Sequence, residues 1–269
     1  MVASLEQMVA ATRRTVADTK RSVDLRQLER SAREHVPRGF RRALAVKDET
    51  GFAVIAELKK ASPSRGLIRP NFDARKLARE LESAGAAALS VLTDEEFFQG
   101  SRENLRCASA STELPCLRKD FIVDEFQLLE ARAYGADAIL LIVSMLSQAE
   151  LIAMTRASAA LGLEVLCEAH SEDELRRALD AGCTLVGVNN RNLRTFEVDV
   201  QTAFRLAGMI PKDVTGVAES GIDNGRNLAR LRSAGYQGFL IGESLMRAAA
   251  PAEALRALLT EAGMAVSSL

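Results

Sequence analysis

Eight short apolar runs, set 21 to 35 residues apart, constrain this 269-residue chain more than any other feature. They begin near Phe52, Ala87, Pro115, Ala138, Leu163, Thr184, Val214 and Gly238. Each interval accommodates a strand, a loop and a helix. Most runs are rich in Val, Ile and Leu rather than strictly alternating, as expected for strands covered on both faces. Helix punctuation lies between them. Asp73 is placed to cap a helix running to Ala84, with Leu77 and Leu81 on one face. Ser171 with Glu174 forms a capping-box pattern before Leu175 and Leu179. Gly85, Gly135, Gly162, Gly182 and Gly235 each follow a helical pattern and precede an apolar run, where a left-handed helix end favours glycine. Eight βα units predict an α/β fold, a single (β/α)8 TIM barrel over residues 51–269. Residues 1–50 form an N-terminal helical extension, and the whole of 1–269 reads as one domain. The competing topology is a doubly wound open sheet. It normally carries a Gly-rich phosphate loop after its first strand, and neither GxGxxG nor GxxxxGK[ST] occurs there.

The extension differs in charge from the rest. It holds 11 Lys/Arg and 7 Asp/Glu, whereas the full chain balances at -1. Leu5 to Leu44 reads as helices with charged faces, broken near Pro37-Arg38-Gly39. A solvated surface is one reading, and cover for a site entrance is the sharper one. The near-neutral total argues against a general nucleic-acid binder. The longest strongly apolar run, Ala138 to Val143, is far short of the roughly 20 residues needed to span a bilayer, and the N-terminus has no apolar stretch resembling a secretory signal. No membrane partner and a cytoplasmic location are expected. Cys107, Cys116, Cys167 and Cys183 show no CxxC pairing and read as buried thiols. With only His35 and His170 present, no multi-His metal site is expected.

A barrel should carry its chemistry at the C-terminal ends of its strands. Run one ends with Glu57 and Lys59, two apart and therefore on one side of a strand. Run three ends with Lys119 and Asp120, run five with Glu168 and His170, and run six with Asn189 and Arg191. Runs seven and eight end in Glu219-Ser220-Gly221 and Gly242-Glu243-Ser244. A single charged strand end usually marks the return to solvent. Six on one barrel face converge on one mouth and support general acid–base chemistry. Ser220-Gly221 and Gly242-Glu243 offer backbone amides where such barrels commonly hold phosphate. Ser62-Pro63-Ser64-Arg65-Gly66 adds hydroxyls and a cation. The expected ligand is a phosphorylated small molecule, with no cofactor and no metal.

These residues resemble the indole-3-glycerol phosphate synthase family. The match rests on Ala56-Glu-Leu-Lys-Lys-Ala-Ser-Pro-Ser-Arg-Gly66, Thr93-Asp-Glu-Glu-Phe-Phe-Gln-Gly-Ser101 and Leu117-Arg-Lys-Asp-Phe-Ile122. It continues through Leu166-Cys-Glu168, Gly187-Val-Asn-Asn-Arg-Asn-Leu193, Ala218-Glu-Ser-Gly-Ile222 and Leu240-Ile-Gly-Glu-Ser-Leu-Met246. The resemblance implies closure of a phosphorylated 1-(2-carboxyphenylamino)-1-deoxyribulose into an indole ring, with loss of carbon dioxide and water, in tryptophan biosynthesis. It implies Lys119 as general acid toward the ketone, made more acidic by its surroundings. Glu168 becomes the acid or base of the dehydration, and Lys59 an aid to binding and proton transfer. Glu57, Asn189 and Glu219 orient the lysines and bind sugar hydroxyls, and Arg191 pairs with the substrate carboxylate. The phosphate is expected on Ser62, Ser220, Gly221, Gly242 and Glu243, the last through its backbone because its carboxylate would repel the ligand. Phe97, Phe98, Phe121 and Leu140 are candidates for the aromatic slot, and His170 is expected at a surface or helix cap.

Two other readings compete with that one. The first is another phosphosugar barrel such as a ketose–aldose isomerase. The second is a non-catalytic barrel that binds a phosphorylated ligand. A monomer, a weak homo-oligomer and association with other tryptophan-pathway enzymes all stay open.

Overall fold

A computed structural model describes residues 4–45, 51–193 and 195–266. The junction expected between extension and barrel, 46–50, lies outside the described residues. Eight barrel strands follow in order: β1 (Ala53–Leu58), β2 (Ala88–Leu92), β3 (Cys116–Lys119), β4 (Ala138–Ile142), β5 (Glu164–Ala169), β6 (Leu185–Asn189), β7 (Thr215–Glu219) and β8 (Gly238–Ile241). All neighbours are parallel and the sheet closes on itself, with Ala53 beside Gly238 and Ile55 beside Leu240. Six of the eight starts fall one residue after the expected position and two, Ala138 and Gly238, upon it, because apolar runs locate strands well.

Alternation along each strand separates two cores. Ala53, Ile55, Leu117, Leu140, Leu166, Leu185, Val217 and Leu240 pack inside the barrel. Val54, Ala56, Leu58, Leu89, Val91 and Cys167 face the helices. A fully buried leucine of this kind contributes roughly 2 kcal/mol. The helices form where punctuation directs them. Asp73 caps α4 (Ala74–Ser83), accepting from the Lys76 amide at 3.0 Å. Ser171 caps α8 (Glu172–Asp180), accepting from the Glu174 amide at 3.3 Å. The reciprocal half of that capping box is missing, since the Glu174 carboxylate turns to His170 instead. The five junction glycines all adopt positive φ.

The extension contributes α1 (Leu5–Ser22), α2 (Leu25–Glu34) and α3 (Phe40–Ala45). Phe40 and Leu44 of α3 join the inner core and plug the floor of the barrel. Nearby, the buried Asp137 accepts from the Arg38 amide at 2.7 Å and from the Cys116 amide at 2.6 Å. The Arg38 guanidinium lies 2.6 Å from it and the His35 ring 3.2 Å. Burial works against the Asp137 anion, but these donors overcome it and hold its pKa below the ordinary aspartate value. The α1 helix runs along the barrel and is tied by the Lys20–Asp124 ion pair at 2.7 Å.

The cysteines depart from expectation. Cys167 and Cys183 are joined by a disulfide, their Cα atoms 6.5 Å apart, while Cys116 is a buried thiol and Cys107 a partly exposed one. The reason is topological. The chain leaves β5 through α8 and returns beside β5 as β6, which brings residues 16 apart into contact. Among the described residues, no helix is long and apolar enough to cross a membrane.

Asp137→Ala strands Arg38 in a partly buried site and is expected to lower stability by about 3 kcal/mol in urea titrations. Because Asp137 has a depressed pKa, the wild-type advantage is fully present above about pH 4 and fades as pH falls below it.

Candidate active site

One cavity of about 1040 Å³ opens at the C-terminal ends of the strands. Strand alternation aims Glu57, Lys119, Glu168, Asn189 and Glu219 inward, on the same parity as the inner apolar core below them. Lys59, Arg191, Ser62, Ser220, Gly221, Gly242 and Glu243 come from the residues just beyond the strands and line the same cavity. All twelve site residues expected from the sequence therefore line one cavity. Two glycines make room for the charges. A Cβ at Gly187 would collide with the Glu219 carboxyl, and one at Gly242 with the Glu57 carboxyl.

At the centre stands the Lys119 ammonium. It donates to Glu168 Oε2 at 3.0 Å and lies 3.8 Å from Glu219 Oε2. Lys59 donates to Glu57 Oε1 at 2.5 Å. Glu57, Glu168 and Glu219 are all at least nine-tenths buried. Desolvation works to lower the Lys119 pKa, but attraction by Glu168, Glu219 and Glu57 overcomes it. The pKa ends above the ordinary lysine value, so the expected acidification is overturned: carboxylates, not cations, surround this amine. The carboxyls diverge. Burial raises the Glu168 pKa, but Lys119 and His170 more than reverse this and hold it well below the usual range. Burial, together with repulsion from Glu168, pushes Glu219 well above that range. The ionised form is thus favoured at Glu168 and the protonated form at Glu219, whose Oε1 is buried without a hydrogen-bond partner. Two like groups driven apart in this way supply a base and an acid.

The opposite wall suits an anion. Ser220 and Gly221 adopt φ of 64° and 73°, a left-handed turn strained for serine, and Asn190 Nδ2 donates to Ser220 O at 3.0 Å to hold it. The short helix α11 (Glu243–Arg247) begins here, and no side chain caps its start. The Ser62 hydroxyl is buried without a partner. The Glu243 carboxylate lies 2.9 Å from Arg65, 3.2 Å from Arg191 and 3.7 Å from Arg247. It points at cations, which leaves its backbone to the cavity. Arg191 is accordingly paired with Glu243 and also donates to Phe196 O at 3.1 Å.

The apolar wall is made by Phe98, Phe121, Leu140 and Ile142. Phe97 does not line the cavity; it packs edge-on against Phe121 at 6.5 Å. Leu5 and Met8 of α1 complete this wall, so the extension covers the entrance. Their apolar spacing is visible in the sequence, but their destination is not. Of the two places expected for His170, a surface or a helix cap, it takes the second, directly before the Ser171 cap of α8. Its ring nitrogens lie 3.4 Å from Glu168 Oε1 and 3.1 Å from Glu174 Oε2, and its side chain is 14% exposed. Among the described residues, no group of three or more His, Cys, Asp or Glu is arranged to hold a metal.

The chain is similar over nearly its whole length to proteins of one family. The family model for indole-3-glycerol phosphate synthase matches residues 5–258. A protein of Koribacter versatilis bearing that name is 55% identical over 259 residues, which is 96% of this chain and all of that protein. One from Carboxydothermus hydrogenoformans is 44% identical over 261 residues, covering 95% of this chain and 99% of that one. Among solved structures, thiamine phosphate pyrophosphorylase from Pyrococcus furiosus superposes with a TM-score of 0.60 at 15% identity, over 80% of this chain and 97% of that one, which speaks to the fold alone.

Protonation of Glu219 has an optical signature. Near neutral pH the infrared spectrum is expected to contain the stretch of a neutral, buried carboxylic acid that disappears in Glu219→Gln. Identical spectra would show that Glu219 is ionised.

Proposed function

The chain belongs to the indole-3-glycerol phosphate synthase family, and from that premise we propose the following division of labour. The substrate is 1-(2-carboxyphenylamino)-1-deoxyribulose 5-phosphate, and the reaction is a decarboxylating, dehydrating ring closure, a carbon–carbon lyase step. The observation that carries this reading is the Lys119 ammonium 3.0 Å from an ionised Glu168, at the wall of a cavity with an anion-binding side and an apolar side.

The anthranilate ring lies against Phe98, Phe121 and Leu140. The phosphate rests on the amides of Ser220, Gly221, Gly242 and Glu243 and on the unpartnered Ser62 hydroxyl. That fixes the ketose carbonyl between them, facing Lys119. The ring carbon bearing the carboxylate is a weak nucleophile, so the carbonyl must be protonated as it attacks. Lys119 gives its proton to that oxygen: an N–H bond breaks and an O–H bond forms as the new carbon–carbon bond closes. The raised pKa keeps the donor charged until substrate arrives. Release of carbon dioxide returns the electron pair to the ring. Dehydration then needs a base and an acid. Glu168, held ionised, takes the proton from carbon, and Lys59, held by Glu57, gives one of its own to the departing hydroxyl as the carbon–oxygen bond breaks, so that it leaves as water. Glu219 and Asn189 hold the sugar hydroxyls. Arg191, already paired with Glu243, exchanges that partner for the substrate carboxylate.

Lys119→Met is expected to reduce indole formation, followed by its fluorescence, by at least about 100-fold. Inhibition by inorganic phosphate should be unchanged. Full turnover would refute the role, and loss of phosphate inhibition would show a collapsed site. Deleting residues up to Val23 removes Leu5 and Met8 but spares the plug of α3. It is expected to raise KM more than it lowers thermal stability. Unchanged kinetics would make α1 mere surface.

A further inference from the structure

We propose that His170 is a positioning residue for Glu168, bridging it to Glu174 so that both oxygens of the Glu168 carboxylate are held. The inference rests on the role given above to Glu168 and adds a third group to the acid–base set. It starts from an anomaly in helix α8. Glu174 occupies the position from which a capping-box glutamate reaches back to the Ser171 amide, yet it does not do so. Its Oε2 instead accepts from the His170 amide at 2.8 Å and meets the His170 ring Nδ1 at 3.1 Å. The helix start is spent on fixing an imidazole.

That imidazole is turned into the barrel wall. Its Nε2 is buried, without an aligned hydrogen bond, and stands 3.4 Å from Glu168 Oε1. Glu168 Oε2 already accepts from Lys119 at 3.0 Å. One carboxylate, 1% exposed, is thus gripped from two sides by groups on different elements. His170 itself does not line the cavity. It has no contact with a ligand and acts through its neighbour.

Charge explains why an imidazole suits the place. The charged groups facing the ring are Glu168 on its own strand and Glu174 on α8. The flanking strands β4 and β6 carry no charged side chain. From the cavity side, Lys119 and Glu219 face Glu168. Burial disfavours the imidazolium, but the two carboxylates overcome it and raise the His170 pKa to about 10. The ring therefore remains a cation through the neutral range. When Lys119 has passed its proton to the ketose oxygen it becomes a neutral amine. His170 is then the remaining counter-charge of Glu168. It keeps that carboxylate ionised and aimed during the step in which Glu168 must accept a proton.

The test compares His170→Ala, His170→Gln and Glu168→Gln in the full chain, with kcat, KM, the pH profile of kcat and thermal unfolding measured for each. In His170→Ala, kcat is expected to fall about 10-fold with KM little changed, and the acid limb to move up by about one pH unit, because Glu168 has lost a cation. His170→Gln restores a donor without the charge. It should recover part of kcat and keep the displaced limb. Should the alanine protein not fold, the glutamine variant carries the same test through its limb. An acid limb identical to the parent's, with or without a loss of thermal stability, would overturn the proposal and leave His170 as an end-piece of α8. Glu168→Gln separates the two levels. If that variant turns over normally, the role of Glu168 fails and this one with it. If it is inactive while His170→Ala keeps the parental limb, only the His170 inference fails.

Discussion

One ammonium among three buried carboxylates sets the terms for everything at this barrel mouth. Glu57, Glu168 and Glu219 repel one another in so small a volume. Lys119 stabilises one of them directly, Lys59 another, and burial with the neighbouring Glu168 charge raises the pKa of the third. The division of labour between acid and base follows from that charge balance rather than from the residue types, since the pKa values of two glutamates on nearby strands are driven in opposite directions. The barrel imposes the crowding. Inward parity on β1, β3, β5 and β7 directs these side chains toward a common axis, and Gly187 and Gly242 yield the space they occupy.

Much of this was legible in the sequence because it depends on local rules. Strand positions follow from apolar runs and helix starts from Asp73 and Ser171. Residues two apart on a strand, such as Glu57 and Lys59, share a side whatever the rest of the fold does. The site residues were legible for a second reason, since the strand ends of a barrel meet at one rim. What sequence reasoning missed is set by contacts between elements far apart in the chain. The Cys167–Cys183 bond depends on β6 lying beside β5. The company kept by Glu243 depends on three loops meeting, and a charge that seemed to repel phosphate proves to be a partner for Arg65, Arg191 and Arg247.

His170 and Lys119 show the same limit in electrostatics. A pKa is fixed by neighbours within a few ångströms. In the sequence, Lys119 has a cation, Arg118, as its immediate neighbour. In space Arg118 faces away to Asp120 and Glu130, at 2.9 and 2.8 Å, and the carboxylates of other strands take its place. His170 reads as a surface or helix-cap residue although Glu168 stands two residues before it, because the sequence does not show that Glu174 holds the ring against the Glu168 carboxylate.

The wall that α1 supplies has a different kind of consequence. Leu5 and Met8 belong to a segment outside the eightfold repeat, yet they bound the same space as the strand-borne charges. Selectivity at the apolar end can drift through changes in that appended helix while the proton-handling groups stay fixed. Two reservoirs of variation, one for fit and one for chemistry, are thereby inherited on separate parts of the chain.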